Sequence, residues 1–483
     1  MYGIIVLQTN VRKEIIMGFS ELLNKKRKVL KALVEELGKT FPYVSVLGTD
    51  VRASVYRADK KSAVARDGSG ENGYVVKMHD GRAFFEYSLD KIENGADIPT
   101  LASHIIKSVG IDDSLRERMI KTTEVRDEPL IKDFARENDF DDYDDERLLG
   151  ECRELSKEIC GKDDKVLNAI AIIQYFTVSK IFVSKNRCLT QYYGWANGIL
   201  MAVYNDGRVA QARLVEGEGN LGEILSKLKG DVDPVIDLAR HLVKAQPIKP
   251  GIYDVITDPS ITGLIAHEAF GHGVEMDQFV KDRALAKNCV GEYVASPISN
   301  MRDGAASAYS VASYFFDDDG VLAHDTQIIE NGILKRGLSD LVSATQLGTE
   351  PTGNGRRDNF RRKAYSRMTN TFFEKGNDKL EDMIASIKHG YMLFQTNNGM
   401  EDPKNWAIQC TAEYGIEIVD GKLTDNYVSP VVMSGYVPDL LKSISMISDE
   451  FKVIGSGQCG KGYKEWVRVS DGGPHLKARV KLG

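Results

Sequence analysis

Between Phe19 and Leu37 the apolar residues return every three or four positions, with lysines and arginines between them. That spacing predicts a basic amphipathic helix. The next stretches, "VSVLGTDVRASVYRA" and "ENGYVVKMHDGRAFFEYSLDKI", alternate apolar and polar residues around Asp80-Gly81, so antiparallel strands joined by a tight turn are expected. Helical spacing resumes in "IPTLASHIIKSVG". The acidic run Glu137 to Leu149 reads as a solvated linker or helix start, since a calcium loop would need a central glycine that it lacks.

Further along, "DERLLGECRELSKEIC" predicts a helix, followed by long alternating strands on either side of Asn205-Asp206-Gly207. The stretch "LGEILSKLKGDVDPVIDLARHLVKAQ" predicts helix with a break near Gly230. Beyond it, turns at Asp319-Gly320, Asn331-Gly332 and Asp420-Gly421 argue for hairpins over βαβ units. The chain therefore reads as α+β. Three segments are expected: an N-terminal α/β domain with antiparallel strands (1–120), a middle α+β domain (121–240), and a β-rich C-terminal domain with a short helix (241–483).

The totals fit a multidomain globular protein: 483 residues, 42% hydrophobic and 28% charged. A formal net charge of −7 leaves no electrostatic footprint for nucleic acid beyond local patches such as Gly355 to Lys363. No apolar run is long enough to span a membrane, and no secretion signal is evident, so a cytoplasmic protein is expected. Residues 1–16 read as an extension or a misplaced start, because Met17 opens a tidier helix. The six cysteines are scattered without a C-x-x-C pair, which predicts reduced thiols. Five read as core residues; Cys459, in "GSGQCGKG", reads as displayed by a glycine-rich loop. That stretch is not a P-loop. Gly462 stands where a Mg²⁺-binding Ser or Thr belongs, and strands follow instead of a helix.

The densest chemistry lies in "LIAHEAFGHGVEMD", Leu264 to Asp277. Asp258-Pro259 predicts a helix start before it. His267 and Glu268 begin as a zinc-peptidase motif would, but the second histidine, His272, comes one position later than in H-E-x-x-H. At roughly 100° per residue, a five-residue step leaves two histidines about 140° apart on an α-helix, too far to share an ion. The backbone must therefore widen by a π-type turn, or the helix must end there, with Gly271 and Gly273 as the permissive residues. In such a site His267 and His272 bind Zn²⁺ and Glu268 serves as general base. A third ligand is required, with Cys, His or a carboxylate elsewhere as candidates.

Four stretches in one order extend this reading. "HEAFGHGVEMD", "PTGNGRRDNF", "SRMTNTFF" and "CGKG" resemble motifs of the TldD/PmbA family of metallopeptidases, a group also labelled modulators of DNA gyrase. The resemblance runs from about residue 40 onward. It implies a zinc-dependent metallopeptidase with His267, His272 and Cys459 as ligands and Glu268 as catalytic base. It also implies hydrolysis of short or unfolded peptides by a homodimer, or by a heterodimer with a sister subunit lacking H-E-x-x-x-H. A catalytically silent assembly or regulatory subunit is the alternative reading, and the intact His-Glu-His trio argues against it. Arg356, Arg357 and His389 are candidates for substrate or oxyanion contacts; His324, His389 and His475 are weaker rivals of Cys459. The strands near Cys459 offer a peptide backbone a pairing edge. The sequence departs from the family pattern at Ser366, where proline is usual, and in "FQTNNGMEDPKNWAIQCTAEY".

Overall fold

The computed structural model describes residues 18–110 and 122–483; the reading of residues 1–16 lies outside them. Alternating sequence in the first half becomes one large sheet. Its strands are β1 (Tyr43–Asp59), β2 (Ala63–Asp67), β3 (Glu71–His79), β4 (Phe84–Leu89), β5 (Leu130–Ala135), β6 (Val166–Ser184), β7 (Arg187–Asn205) and β8 (Val209–Glu218). The main path runs β4-β3-β1-β6-β7-β5, with β2 on β1 and β8 on β7. Segments 1–120 and 121–240 thus contribute to the same sheet.

Helices cover the sheet where its strands are apolar. The predicted N-terminal helix is broken at Lys25 and Lys26 into α1 (Glu21–Asn24) and α2 (Arg27–Leu37). With α3 (Ile98–Val109) they bury Leu23, Leu30, Leu33 and Ile105 against Val46, Val76 and Ile181. Helices α4 (Asp145–Lys162), α5 (Leu221–Gly230) and α6 (Val232–Leu242) bury Leu155, Ile224 and Ile236 against Ile173 and Leu200. The break expected near Gly230 falls between α5 and α6.

The C-terminal half builds further sheets around its own core. Its strands begin with β9 (Gly251–Thr257), β10 (Met301–Asp303), β11 (Thr326–Glu330), β12 (Ile333–Leu334), β13 (Gly355–Arg356), β14 (Tyr365–Ser366) and β15 (Asn370–Phe373). They continue with β16 (His389–Asp402), β17 (Ala407–Val419), β18 (Lys422–Val428), β19 (Val431–Tyr436), β20 (Met446–Ile447), β21 (Lys452–Lys461), β22 (Glu465–Gly473) and β23 (Leu476–Leu482). One sheet orders β12-β11-β10-β15-β22-β21, and another β16-β9-β23-β19-β17-β18. Four of the five predicted turns join paired strands. Asp319-Gly320 instead closes a tight turn held by a single Phe316–Leu322 bridge.

The halves meet through both packing and charge. Phe182 and Leu189 of the first sheet pack on Phe316. Lys77 pairs with Asp319 and Glu86, Lys180 with Asp318, and Arg357 with Glu86, all largely withdrawn from water. Burial alone raises a carboxyl pKa, but Lys77 and Arg357 hold Glu86 down at about 2.

Candidate metal centre

Asp258 caps the helix that carries the histidines, accepting the Ile261 N–H at 2.8 Å, with Pro259 following at the first helical position. Helix α7 (Pro259–Leu264) then opens into a π-helical turn over Ile265–Gly271. The His272 N–H donates to the His267 carbonyl, five residues back. A 3₁₀ turn, His272–Val274, follows. The wider turn brings the two imidazoles together, with ring centroids 5.1 Å apart and planes at 89°. The expected widening is therefore present, but its cause differs from the one expected. Gly271 has ordinary right-handed helical angles, so it is not needed for backbone freedom. A Cβ there would lie 2.0 Å from the Met368 sulfur. Glycine lets this turn press against Met368, in the segment that leads into β15.

The third donor comes from another sheet. Cys459 lies on β21, an edge strand paired with β22. The glycine-rich stretch is thus a strand, not a displaying loop, because its backbone is paired with Val467 and its neighbours. Cys459 is also buried, at 2% exposure. Its Sγ stands 3.6 Å from His272 Nε2. Among the described residues, one donor atom each from His267, His272 and Cys459 all lie within 4.8 Å of one another. Two imidazoles and a thiolate suit zinc. The His267 Nδ1 is buried without a hydrogen-bond partner.

Electrostatics bind this trio together. Burial would push the Cys459 thiol up, but His272 and His267 hold it well below the usual thiol range. Burial would lower both imidazoles, yet the Cys459 sulfur raises them, His272 the further because Glu275 adds to it. Glu268 sits alongside, its carboxylate oxygens 4.0 Å from His267 Nε2 and 3.9 Å from His272 Nε2. Burial raises its proton affinity and the two histidines oppose that. A Cβ on Gly399 of β16 would fall 2.4 Å from the Glu268 Cγ, so that strand lies directly on the glutamate.

Several neighbours were not singled out from sequence. Glu275 Oε2 bonds His272 Nδ1 at 3.1 Å, and Lys461 bonds the same oxygen at 2.9 Å. Arg367, fully buried, donates to the Cys459 carbonyl at 2.5 Å. Asp471 on β22 feels His267, Glu268 and Cys459, and burial pushes its carboxyl up to about 6. Both Glu401 oxygens are buried beside Gly273. The Glu275 signal was within reach, since it lies three residues after His272; the rest depends on pairing between distant strands.

Other expectations are corrected. Arg356 and Arg357, offered as substrate contacts, are both engaged within the protein. Arg356 donates to the Met368 and Arg468 carbonyls at 2.8 and 2.6 Å. Arg357 is 7% exposed and tied to Glu86 and the Arg362 carbonyl. His389 pairs with Glu417 at 3.0 Å, His475 faces Glu450, and His324 is exposed. None of these three belongs to the donor cluster. All six cysteines are free thiols. Cys152 and Cys410 are buried in the core as expected, whereas Cys160, Cys188 and Cys289 only border it.

Comparison with known proteins places this geometry. Residues 250–481 match the PmbA/TldA metallopeptidase C-terminal domain. A metalloprotease of Methanothermobacter thermautotrophicus is 34% identical over 242 residues, 50% of this chain and 52% of that protein. A zinc metalloprotease TldD homolog of Saccharolobus solfataricus is 31% identical over 275 residues, 54% of this chain and 61% of that protein. The matched stretch thus spans only about half the length of the first of these relatives. Two solved structures share the fold: a Thermotoga maritima protein (TM-score 0.77, 17% identity, 95% of this chain and 100% of that one) and TldE from Thermococcus kodakarensis (0.71, 20%, 93% and 99%). The class is therefore an α+β protein with a metallopeptidase-type C-terminal domain. Residues 250–481 carry the C-terminal domain of the PmbA/TldA metallopeptidases.

Proposed function

We propose that this chain is a zinc-dependent metallopeptidase that hydrolyses peptide bonds in short or unfolded peptides. The observation that carries this reading is the convergence of His267, His272 and Cys459 within 4.8 Å, with the Glu268 carboxylate at their side. Three protein donors leave one position of a tetrahedral ion open, as catalytic zinc sites require. When bound, zinc would supply Lewis acidity to the scissile carbonyl and acidify the attacking water. The two histidines and the cysteine would hold the ion. Glu268 accepts the proton of the attacking water and passes it to the leaving amine nitrogen. The cover of β16 over Glu268 limits bulk water at that carboxylate.

The family resemblance supports peptide substrates and assembly as a homodimer or with a sister subunit lacking H-E-x-x-x-H. Among the described residues no helix is long and apolar enough to cross a membrane, in keeping with a cytoplasmic enzyme. Metal analysis combined with cleavage of an unstructured peptide tests the proposal. About one zinc per chain and chelator-sensitive cleavage are expected; a metal-free chain, or cleavage indifferent to chelation, would sink it.

A further inference from the structure

The zinc reading accounts for Cys459 but leaves Lys461 of the same "CGKG" stretch without a role. On a strand, residues two apart leave the same face, so Cys459 and Lys461 of β21 point together toward the histidine turn. Cys459 meets His272 on its Nε2 side at 3.6 Å. Lys461 reaches the other side of the same ring through Glu275. Its Nζ bonds Glu275 Oε2 at 2.9 Å, Asp277 Oδ1 at 2.6 Å and the Ser366 carbonyl at 2.9 Å. Glu275 Oε2 in turn bonds His272 Nδ1 at 3.1 Å. The Lys461 and Glu275 side chains are 8% and 1% exposed, so water does not substitute for either.

We infer that Lys461 is a positioning residue for the metal site, fixing Glu275 so that Glu275 orients and selects the tautomer of His272. A carboxylate only accepts. The His272 Nδ1 therefore carries the proton, and Nε2 turns its lone pair toward Cys459. Carboxylate partners of this kind tune metal-binding histidines and are worth on the order of 10–100-fold in affinity. One strand thus supplies a ligand to the ion and, through Glu275, the clamp on a second ligand. This inference rests on the zinc reading.

The test is zinc affinity, measured by competition with a chromophoric chelator, together with the visible spectrum of the cobalt-substituted protein. Lys461→Met should weaken zinc by about 10–100-fold. It should keep the thiolate-to-cobalt charge-transfer band, because Cys459 remains, while the ligand-field bands shift. Lys461→Arg, which retains the charge and can reach both carboxylates, should recover most of the affinity. Wild type that binds zinc alongside a Lys461→Met variant that binds it equally well would overturn the inference and leave the zinc reading standing. So would a lowered melting temperature with unchanged affinity, or an arginine variant no better than methionine. Wild type that binds no zinc removes both. Should Lys461→Met fail to fold, Glu275→Gln, of the same size, decides alone: weakened zinc supports the clamp, and unchanged zinc overturns it.

Discussion

His272 and Cys459 lie 187 positions apart in sequence, yet the imidazole Nε2 and the thiol Sγ are 3.6 Å from one another. That contact joins two of the three donors of the proposed centre. Cys459→Ser replaces a thiolate donor with a hydroxyl that does not ionise near neutral pH. Zinc bound to the purified chain should fall from about one per chain to below about a tenth. Metal analysis after dialysis reads this directly, and undiminished zinc would remove Cys459 from the ligand set.

In the proposed mechanism Glu268 moves a proton without holding the ion. Glu268→Gln should leave zinc content unchanged and lower the cleavage rate of an unstructured peptide by about 10²–10⁴-fold. Cleavage by the variant at the wild-type rate would show that the base lies elsewhere.

The π-helical turn is fitted to its surroundings at Gly271. Adding a methyl group there places Cβ 2.0 Å from the Met368 sulfur and 2.9 Å from the Ala266 carbonyl. Gly271→Ala should cost about 1–3 kcal/mol of stability through overpacking, seen as a lower melting temperature. Combining it with Met368→Ala should restore part of the loss; a double variant no better than Gly271→Ala would place the strain in the backbone.

A pH effect is expected far from the centre. Burial raises the Glu71 carboxyl to about 7, against the pull of Lys180, with Asp318 adding to the rise. A carboxyl whose folded pKa exceeds its unfolded value binds the proton more tightly when folded. Its contribution is most favourable below the unfolded value of 4.5 and is lost as pH rises toward about 7. Glu71→Gln should therefore flatten the decline in stability across that window and stabilise the chain by about 1–3 kcal/mol at pH 8. Denaturant titrations of both proteins at pH 5 and pH 8 check the sign.

Much of this architecture was legible in local pattern. The helices, the long alternating strands and most turns carry their periodicity or their Asn-Gly and Asp-Gly signals within a few residues. The odd step from His267 to His272 even demanded a widened turn. What local pattern could not show is which strands would pair. Cys459 reads as a loop residue because glycines crowd it; only the ladder to β22 makes it a buried strand residue. Arg356 and Arg357 read as candidates for substrate contact because they sit in a basic run. Their partners, Glu86, Asp318 and the carbonyls of Met368 and Arg468, come from remote elements. Glycine at 271 is explained by a methionine far along the chain, which no property of the motif itself announces.

The placement of Cys459 also sets an order of events during biosynthesis. A nascent chain that has left the ribosome only as far as residue 450 already carries His267, Glu268 and His272, but has no thiolate to complete the trio and no Lys461 to steady it. The three-donor cluster cannot close until β21 has emerged and paired with β22. The histidine turn thus waits, without its third donor, while the 187 positions that separate His272 from Cys459 are synthesised.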